Sequence, residues 1–308
     1  MKKLKVLGCD LDVKISPTFL QSAACPFCLK CKYIDHIENV YIRVNTLRGQ
    51  AAHEAIAELT QMALDEKMPV QELSDEQVFE AAVRHTPSEI VSEQNNILKW
   101  TLLWRDRFKL SKHHFGHEER MALDDAFQEC PWDEASYRGI VDILEVAGPH
   151  AIVTDYKSQA RPMSQHELDN HDQLTHYCWL VDKQYGGEGR GIKRYSGRIW
   201  YLQYGFYHQT ERTREDLALY EKRMHAQVQK IADISSWDPV PCDHCVVCDF
   251  VHICPIAENV SSPPSRCSTL WPPPSAASSS NNFRPYSSSR NAPSSSSPLI
   301  RLQCIEGF

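Results

Sequence analysis

The sequence predicts an α/β protein, one domain in which a mixed sheet is built around a hairpin and flanked by helices. Three observations lead there. Residues 139–157 read as two apolar strands joined at Gly148-Pro149. Strand-like alternation returns near the end of 193–206, where Ile199, Tyr201 and Gln203 alternate with Trp200 and Leu202. On both sides of this core, apolar residues recur at helical spacing, as in Leu47, Ala51, Ile56, Leu59 and Met62.

Taken in order, Leu4 to Leu7 is a short strand ended by Gly8. Ser16-Pro17 marks a helix start, a serine N-cap with proline at the first helical position. That helix runs from Thr18 to about Ala24 and into Cys25-Pro26-Phe27-Cys28-Leu29-Lys30-Cys31. A second helix begins near Thr46 and contains His53. Residues 74–126 read as largely helical, with caps at Ser74 and Pro87-Ser88 and a stripe of Ile97, Trp100, Leu103 and Trp104 that suits core packing better than base stacking. The group His113, His114 and His117 around Gly116 reads as a loop and receives no role. After the hairpin, a helix over Ser164 to Gln184 places Gln173 and Tyr177 on one face, four residues apart. A glycine-rich turn over 186–189 precedes the strand, and a long helix over Thr210 to Ile234 turns Leu217, Leu219, Tyr220, Met224 and Val228 inward. Beyond Pro255 serine, proline and asparagine dominate without periodicity, which predicts a disordered tail over 256–308, with Cys267 and Cys304 outside any ligand set.

At 308 residues and 42% hydrophobic content the chain can bury a substantial core. Its formal charge of −7 argues against coating nucleic acid by bulk electrostatics, while leaving room for a local basic groove beside carboxylates that hold metal. Cys9, Asp10 and Asp12 interrupt the basic start before a signal-peptide apolar run forms, and no stretch is long enough for a membrane span. The expectation is a cytoplasmic protein with no membrane partner.

The hairpin carries the chemistry. If it is centred on Gly148-Pro149, Asp142 faces Asp155 across the two strands, and the pleat brings Lys157 to the same side. Two carboxylates and an ammonium then share one patch. Such charges either pair internally, as a cross-strand salt bridge, or hold a cation.

Cysteine gives a second signal. An intracellular chain with 12 cysteines uses them for metal or cluster ligation before disulfides. Cys245, Cys248 and Cys254 lie within ten residues, and Cys25, like Cys254 followed by proline, is the natural fourth ligand of a [4Fe–4S] cluster. Such a staple closes a loop of more than two hundred residues and joins the N- and C-terminal parts of the fold. Zinc is the competing occupant, with Cys25 and Cys28 paired to Cys245 and Cys248. Under the cluster scheme Cys28, Cys31 and Cys242 are spare.

In order, Ser16-Pro17 through Cys25-Pro26, Gly49-Gln-Ala-Ala-His53, Gly139-Ile-Val-Asp142, Asp155-Tyr-Lys157, Gln173-Leu-Thr-His-Tyr177 and the three late cysteines resemble the RecB-like branch of the PD-(D/E)XK nucleases. The nearest groups are the CRISPR-associated RecB-like exonucleases, the AddB nuclease domain and exonuclease V. The resemblance covers about residues 16–255 and implies a restriction-endonuclease-like core within a nuclease domain over 1–255, interrupted by a helical insertion over 70–130. It further implies that His53, Asp142, Asp155 and the Tyr156 backbone carbonyl hold Mg²⁺ or Mn²⁺, that Asp142, Asp155 and Lys157 are catalytic, and that Gln173 and Tyr177 orient DNA. The activity implied is DNA hydrolysis, exonucleolytic on single strands, in recombination, repair or CRISPR adaptation beside the proteins of those processes. The alternative is a catalytically idle, cluster-bearing DNA-binding or scaffold subunit of a nuclease or integration complex.

Overall fold

A computed structural model of the chain describes residues 2–257 apart from 39–43, 112, 160, 187–190, 243–244 and 246–247. The serine-rich segment beyond 257, with Cys267 and Cys304, and most of the glycine-rich turn lie outside the described residues. The chain opens with a hairpin, β1 (Lys2–Val6) and β2 (Cys9–Val13), turned at Gly8 with φ +82°. Ser16 caps α1 (Pro17–Ser22) by accepting the Phe19 N–H at 3.2 Å, and α2 (Pro26–Tyr33) follows with Cys25 as N-cap. Next come α3 (Val44–Asp65), α4 (Asp75–His85) and α5 (Gln94–Arg107).

The main sheet holds β3 (His114–Leu123), β4 (Tyr137–Ala147), β5 (His150–Lys157), β6 (Arg194–Tyr201) and β7 (Phe206–Arg212), side by side in that order. All neighbours are antiparallel except β5 and β6, and that parallel pair makes the sheet mixed. The crossover between them carries α6 (Gln165–Asp169) and α7 (Asp172–Tyr185), and α8 (Arg214–Ala232) ends the helical order.

Helices cover both faces. One face packs Val141, Leu144, Val153, Ile199 and Tyr201 against α1, α7 and α8. The other packs Ile143, Tyr156, Trp200 and Leu202 against α3, α4 and α5. Trp104 is fully buried in the second core and Trp100 nearly so, so the aromatic stripe is packing. Truncating a Trp buried to this extent costs about 3–5 kcal/mol.

The hairpin register matches the expected centre: Ile143 pairs with Thr154 and Ala147 with His150, which sets Asp142 opposite Asp155. Four other expectations need correction. The helical run over 74–126 ends at Arg107; His114 to Leu123 is a strand paired with β4, and of the expected histidine loop only His113 stays outside it, in a turn. The helix over 164–184 is two helices, because Asn170 ends α6 and His171 caps α7 through the Leu174 N–H. Residues 206–212 form edge strand β7, so α8 starts at Arg214, behind a capping box of Thr213 and Asp216. Leu219 is 48% exposed and faces away from the core that holds Leu217 and Tyr220.

Candidate active site

The β4–β5 ladder ends at Ile143 and Thr154, one step short of the aspartates. Beyond it the strands are linked through a side chain: Asp142 Oδ2 accepts the Tyr156 N–H at 2.5 Å. The Tyr156 carbonyl, also released from the β4 ladder, faces His53 Nε2 at 3.0 Å, and His53 Nδ1 lies 3.2 Å from Asp142 Oδ1. His53 is delivered by α3, whose small residues Ala51, Ala52 and Ala55 are buried and let the helix lie close to the sheet. Gly49, one turn earlier, has Ser158 Oγ 3.1 Å from where a Cβ would stand, so a side chain there would require Ser158 to give way by a few tenths of an ångström.

Both ring nitrogens of His53 thus face acceptors, which requires a cationic ring. Burial works against that charge, but the Asp142 carboxylate and its hydrogen bond outweigh it and raise His53 to about 9. A metal cation among these acceptors would take the place of that proton.

Asp155, which is buried, and Lys157, which is partly exposed, form an ion pair at 2.8 Å. Burial raises the Asp155 carboxyl, the Lys157 charge opposes this, and Asp142 adds to it. Lys157 is raised in turn because Asp155 outweighs its desolvation. Gln173 ties the crossover helix to this pair: its Nε2 donates to Asp155 Oδ1 at 3.0 Å and to the Tyr177 hydroxyl at 2.8 Å, while its Oε1 accepts from Lys157 at 3.0 Å. Gly139 makes room for this contact, because a Cβ there would stand 2.8 Å from Leu180 and 3.0 Å from Tyr177.

Sequence reasoning missed Glu118. It lies on β3 between partners that pair His117 with Ile143 and Glu119 with Val141, which sets it directly across from Asp142. Its backbone is left-handed, φ +47°, a strained conformation for a residue with a Cβ. Ligand atoms of His53, Glu118 and Asp142 lie within 4.8 Å of one another. Crowding by protein atoms, then the Asp142 charge, raises Glu118 to about 7. The only sequence signal for Glu118 is its register, and that needs β3 to be recognised as a strand.

Imidazole nitrogen with carboxylate oxygen is a donor set that suits Mg²⁺ or Mn²⁺. Asp155 Oδ2 is buried and its partner is the Lys157 ammonium at 2.8 Å, so a carboxylate oxygen with two lone pairs keeps one for a cation. The residues present fit the metal. Asp155 itself stands outside the His53, Glu118 and Asp142 group, engaged with Lys157 and Gln173. A groove of about 820 Å³ opens over the site, lined by Gly49, His53, Glu118, Arg120, Tyr156 and Lys157 among others.

The cysteines gather at the other end of α1. Cys25, Cys28, Cys31, Cys242 and Cys248 are buried together with Phe250, and Cys245 packs against them. The sulfurs of Cys25, Cys245 and Cys248 accept backbone N–H groups of Val240, Cys242 and Phe250 at 3.4, 3.3 and 3.4 Å. Such bonds stabilise thiolate ligands. Cys28, spare by sequence, lies against two of them: its sulfur is 3.2 Å from Cys248, and hydrogen bonding with Cys28, whose single thiol proton can serve one sulfur at a time, is the main cause lowering Cys25 to about 6 and Cys248 to about 7. Cys254 is only partly buried, within electrostatic reach of Cys25, Cys248 and Cys245, and desolvation raises its thiol. These soft donors suit an iron–sulfur or zinc centre.

A profile of the PD-(D/E)XK nuclease superfamily matches residues 14–255. No curated protein matches the chain. No helix among the described residues is long and apolar enough to cross a membrane.

Proposed function

We propose that this chain, which belongs to the PD-(D/E)XK nuclease superfamily, is a RecB-like, metal-dependent exonuclease acting on single-stranded DNA. The observation that carries the reading is the fork between β4 and β5, where His53, Glu118 and Asp142 converge beside the Asp155–Lys157 pair. His53, Glu118, Asp142 and Asp155 would hold the ion, with the Tyr156 carbonyl as a further oxygen. When bound, Mg²⁺ or Mn²⁺ supplies an activated water and neutralises charge on the scissile phosphate.

The chain's own groups do the rest. Lys157, kept cationic by Asp155, positions the attacking water and stabilises the charge that develops on the phosphate. Gln173 holds Asp155 and Lys157 in register, and with Tyr177 it orients the strand from the α7 side. The thiol locus is the staple of the same reading, a [4Fe–4S] centre on Cys25, Cys245, Cys248 and Cys254, with Cys28 as a hydrogen-bonding neighbour. The processes that fit are recombination, repair or CRISPR adaptation.

The test is hydrolysis of a single-stranded oligonucleotide with added Mg²⁺ or Mn²⁺, comparing the wild type with Asp155→Ala and Lys157→Ala. Each change should lower kcat at least about 100-fold, since charge stabilisation of this kind supplies several kcal/mol to the transition state. Activity untouched by both would dismiss the site.

A further inference from the structure

Resting on the nuclease reading, we infer that Arg120, Trp132 and Arg138 form a ledge on which the uncut part of a single DNA strand lies as it enters the groove. The sheet places them together. Gly139 faces α7, so its neighbours Arg138 and Ile140 point to the opposite face, and Arg120 is the cross-strand partner of Ile140. Trp132, from the β3–β4 connection, lies against both guanidiniums, 5.5 Å from Arg120 and 5.0 Å from Arg138. The ledge is continuous with the site, because Arg120 and Ile140 line the same groove as His53 and Glu118. Arg138 stands four residues before Asp142 on the strand, roughly 13 Å and thus about four nucleotides at duplex spacing.

Other arginines in the molecule show why these two differ. Arg48 lies over Trp100 and is also paired with Glu93 at 2.6 Å; Arg198 lies over Tyr207 and is paired with Glu145 at 2.9 Å. Among the described residues, Arg120 and Arg138 have the indole but no carboxylate at ion-pair distance, although Glu118 and Asp12 influence them from farther off. Each guanidinium has five N–H donors, and here they remain available for an external anion. In a chain of net charge −7, with Glu54, Glu58 and Glu118 on the groove wall, the cationic side complements a phosphate backbone. The indole and the two guanidiniums against it together add planar, cationic surface for bases, the combination used by proteins that bind single strands without reading sequence.

The test titrates the full-length protein, with no divalent ion added, against fluorescein-labelled dT12 by anisotropy at several salt concentrations. Trp132→Ala should weaken binding about tenfold, within the range of one lost stacking contact. The Arg120→Gln/Arg138→Gln double variant should weaken it at least tenfold and flatten the slope of log K against log salt by about 1.4, the value for two lost phosphate contacts to a single strand. Trp132→Phe and the double lysine variant keep the stacking face and the charge, and should bind within about threefold of wild type. If those conservative variants lose affinity as fully as the others, the ledge is a folding element and the inference fails. It also fails if all variants bind like wild type, or if wild type does not bind dT12. Wild-type hydrolysis of the p-nitrophenyl ester of thymidine 5′-monophosphate, which has no strand to lay down, separates this from the parent reading. Ester cleavage with ledge-independent dT12 binding removes the ledge alone. Ledge-dependent binding without cleavage of either substrate removes the nuclease alone.

Discussion

The carboxylate site and the thiol locus are both assembled from distant parts of the chain. His53 meets Asp142 across 89 positions, and Cys28 meets Cys248 across 220. They are held in different ways. The carboxylate site is braced by regular structure, with His53 on a 22-residue helix, Asp142 and Asp155 on paired strands, and Gln173 donating across from α7. Among the described residues, the thiol locus is bordered on its C-terminal side by turns and the 3-10 turn Val251–Ile253, with sulfur–sulfur contacts and the Phe250 ring joining it. On the proposed reading, the first region keeps its shape without a metal, whereas the second takes its stability from the centre proposed there. A catalytic ion can therefore come and go, whereas a staple that closes a loop of this length belongs to the folding energy.

The largest expected effect would break that comparison if it failed. Removing the metal proposed at the thiol locus with a chelator should lower the unfolding free energy by about 5 kcal/mol, the scale on which long-loop closure acts, as read from urea denaturation. Withdrawing Mg²⁺ or Mn²⁺ should abolish hydrolysis yet leave the urea midpoint almost unchanged. Equal losses in the two experiments would show that the regions are alike.

Next in size is acid sensitivity, which the comparison assigns to neither region but to the helix beside them. His176 on α7 is fully buried, with the Tyr220 hydroxyl at Nδ1 and the Arg138 carbonyl at Nε2, and burial lowers it to about 4. An unfolded histidine takes up a proton below about pH 6.5, while the folded one resists until about 4, so stability falls as pH drops through that window and is flat above it. The loss is at most about 3 kcal/mol, and His176→Gln should flatten the curve in a pH series of melts.

Gly139→Ala should come third, at about 1–3 kcal/mol from overpacking. Because the new methyl would meet Tyr177 and Leu180, it should also displace Gln173 and lower kcat, linking α7 packing to the site. The smallest effect, about 1 kcal/mol in melting experiments, belongs to Ser164→Ala, which removes the capping box of α6 while leaving both regions intact.

What was legible in the sequence was whatever carried a geometric rule. Gly148-Pro149 set a centre, the centre set the register, and Asp142 came out opposite Asp155. Trp100 and Trp104 were legible as core from their spacing. β3 was not, because Glu118-Glu119-Arg120-Met121-Ala122-Leu123 is composed of good helix formers and becomes a strand only by pairing with β4. Losing β3 also hid Glu118 and the Arg120 side of the groove. β7 is a polar edge strand whose residues resemble the charged helix that follows. The place of Cys28 between two other sulfurs was hidden because spacing ranks cysteines by motif, whereas the fold ranks them by where α2 meets the C-terminal turns.

Glu118, with its left-handed backbone, and the early end of the β4–β5 ladder lie on either side of Asp142. A sheet is normally the slowest part of a protein to exchange its amide protons. Here β4, the second strand of five, has a seam, and amides near residues 118 and 142 should exchange faster than those of Val153 or Ile199. The sheet can thus part locally at the one place where a phosphate has to fit, while the rest of it stays closed.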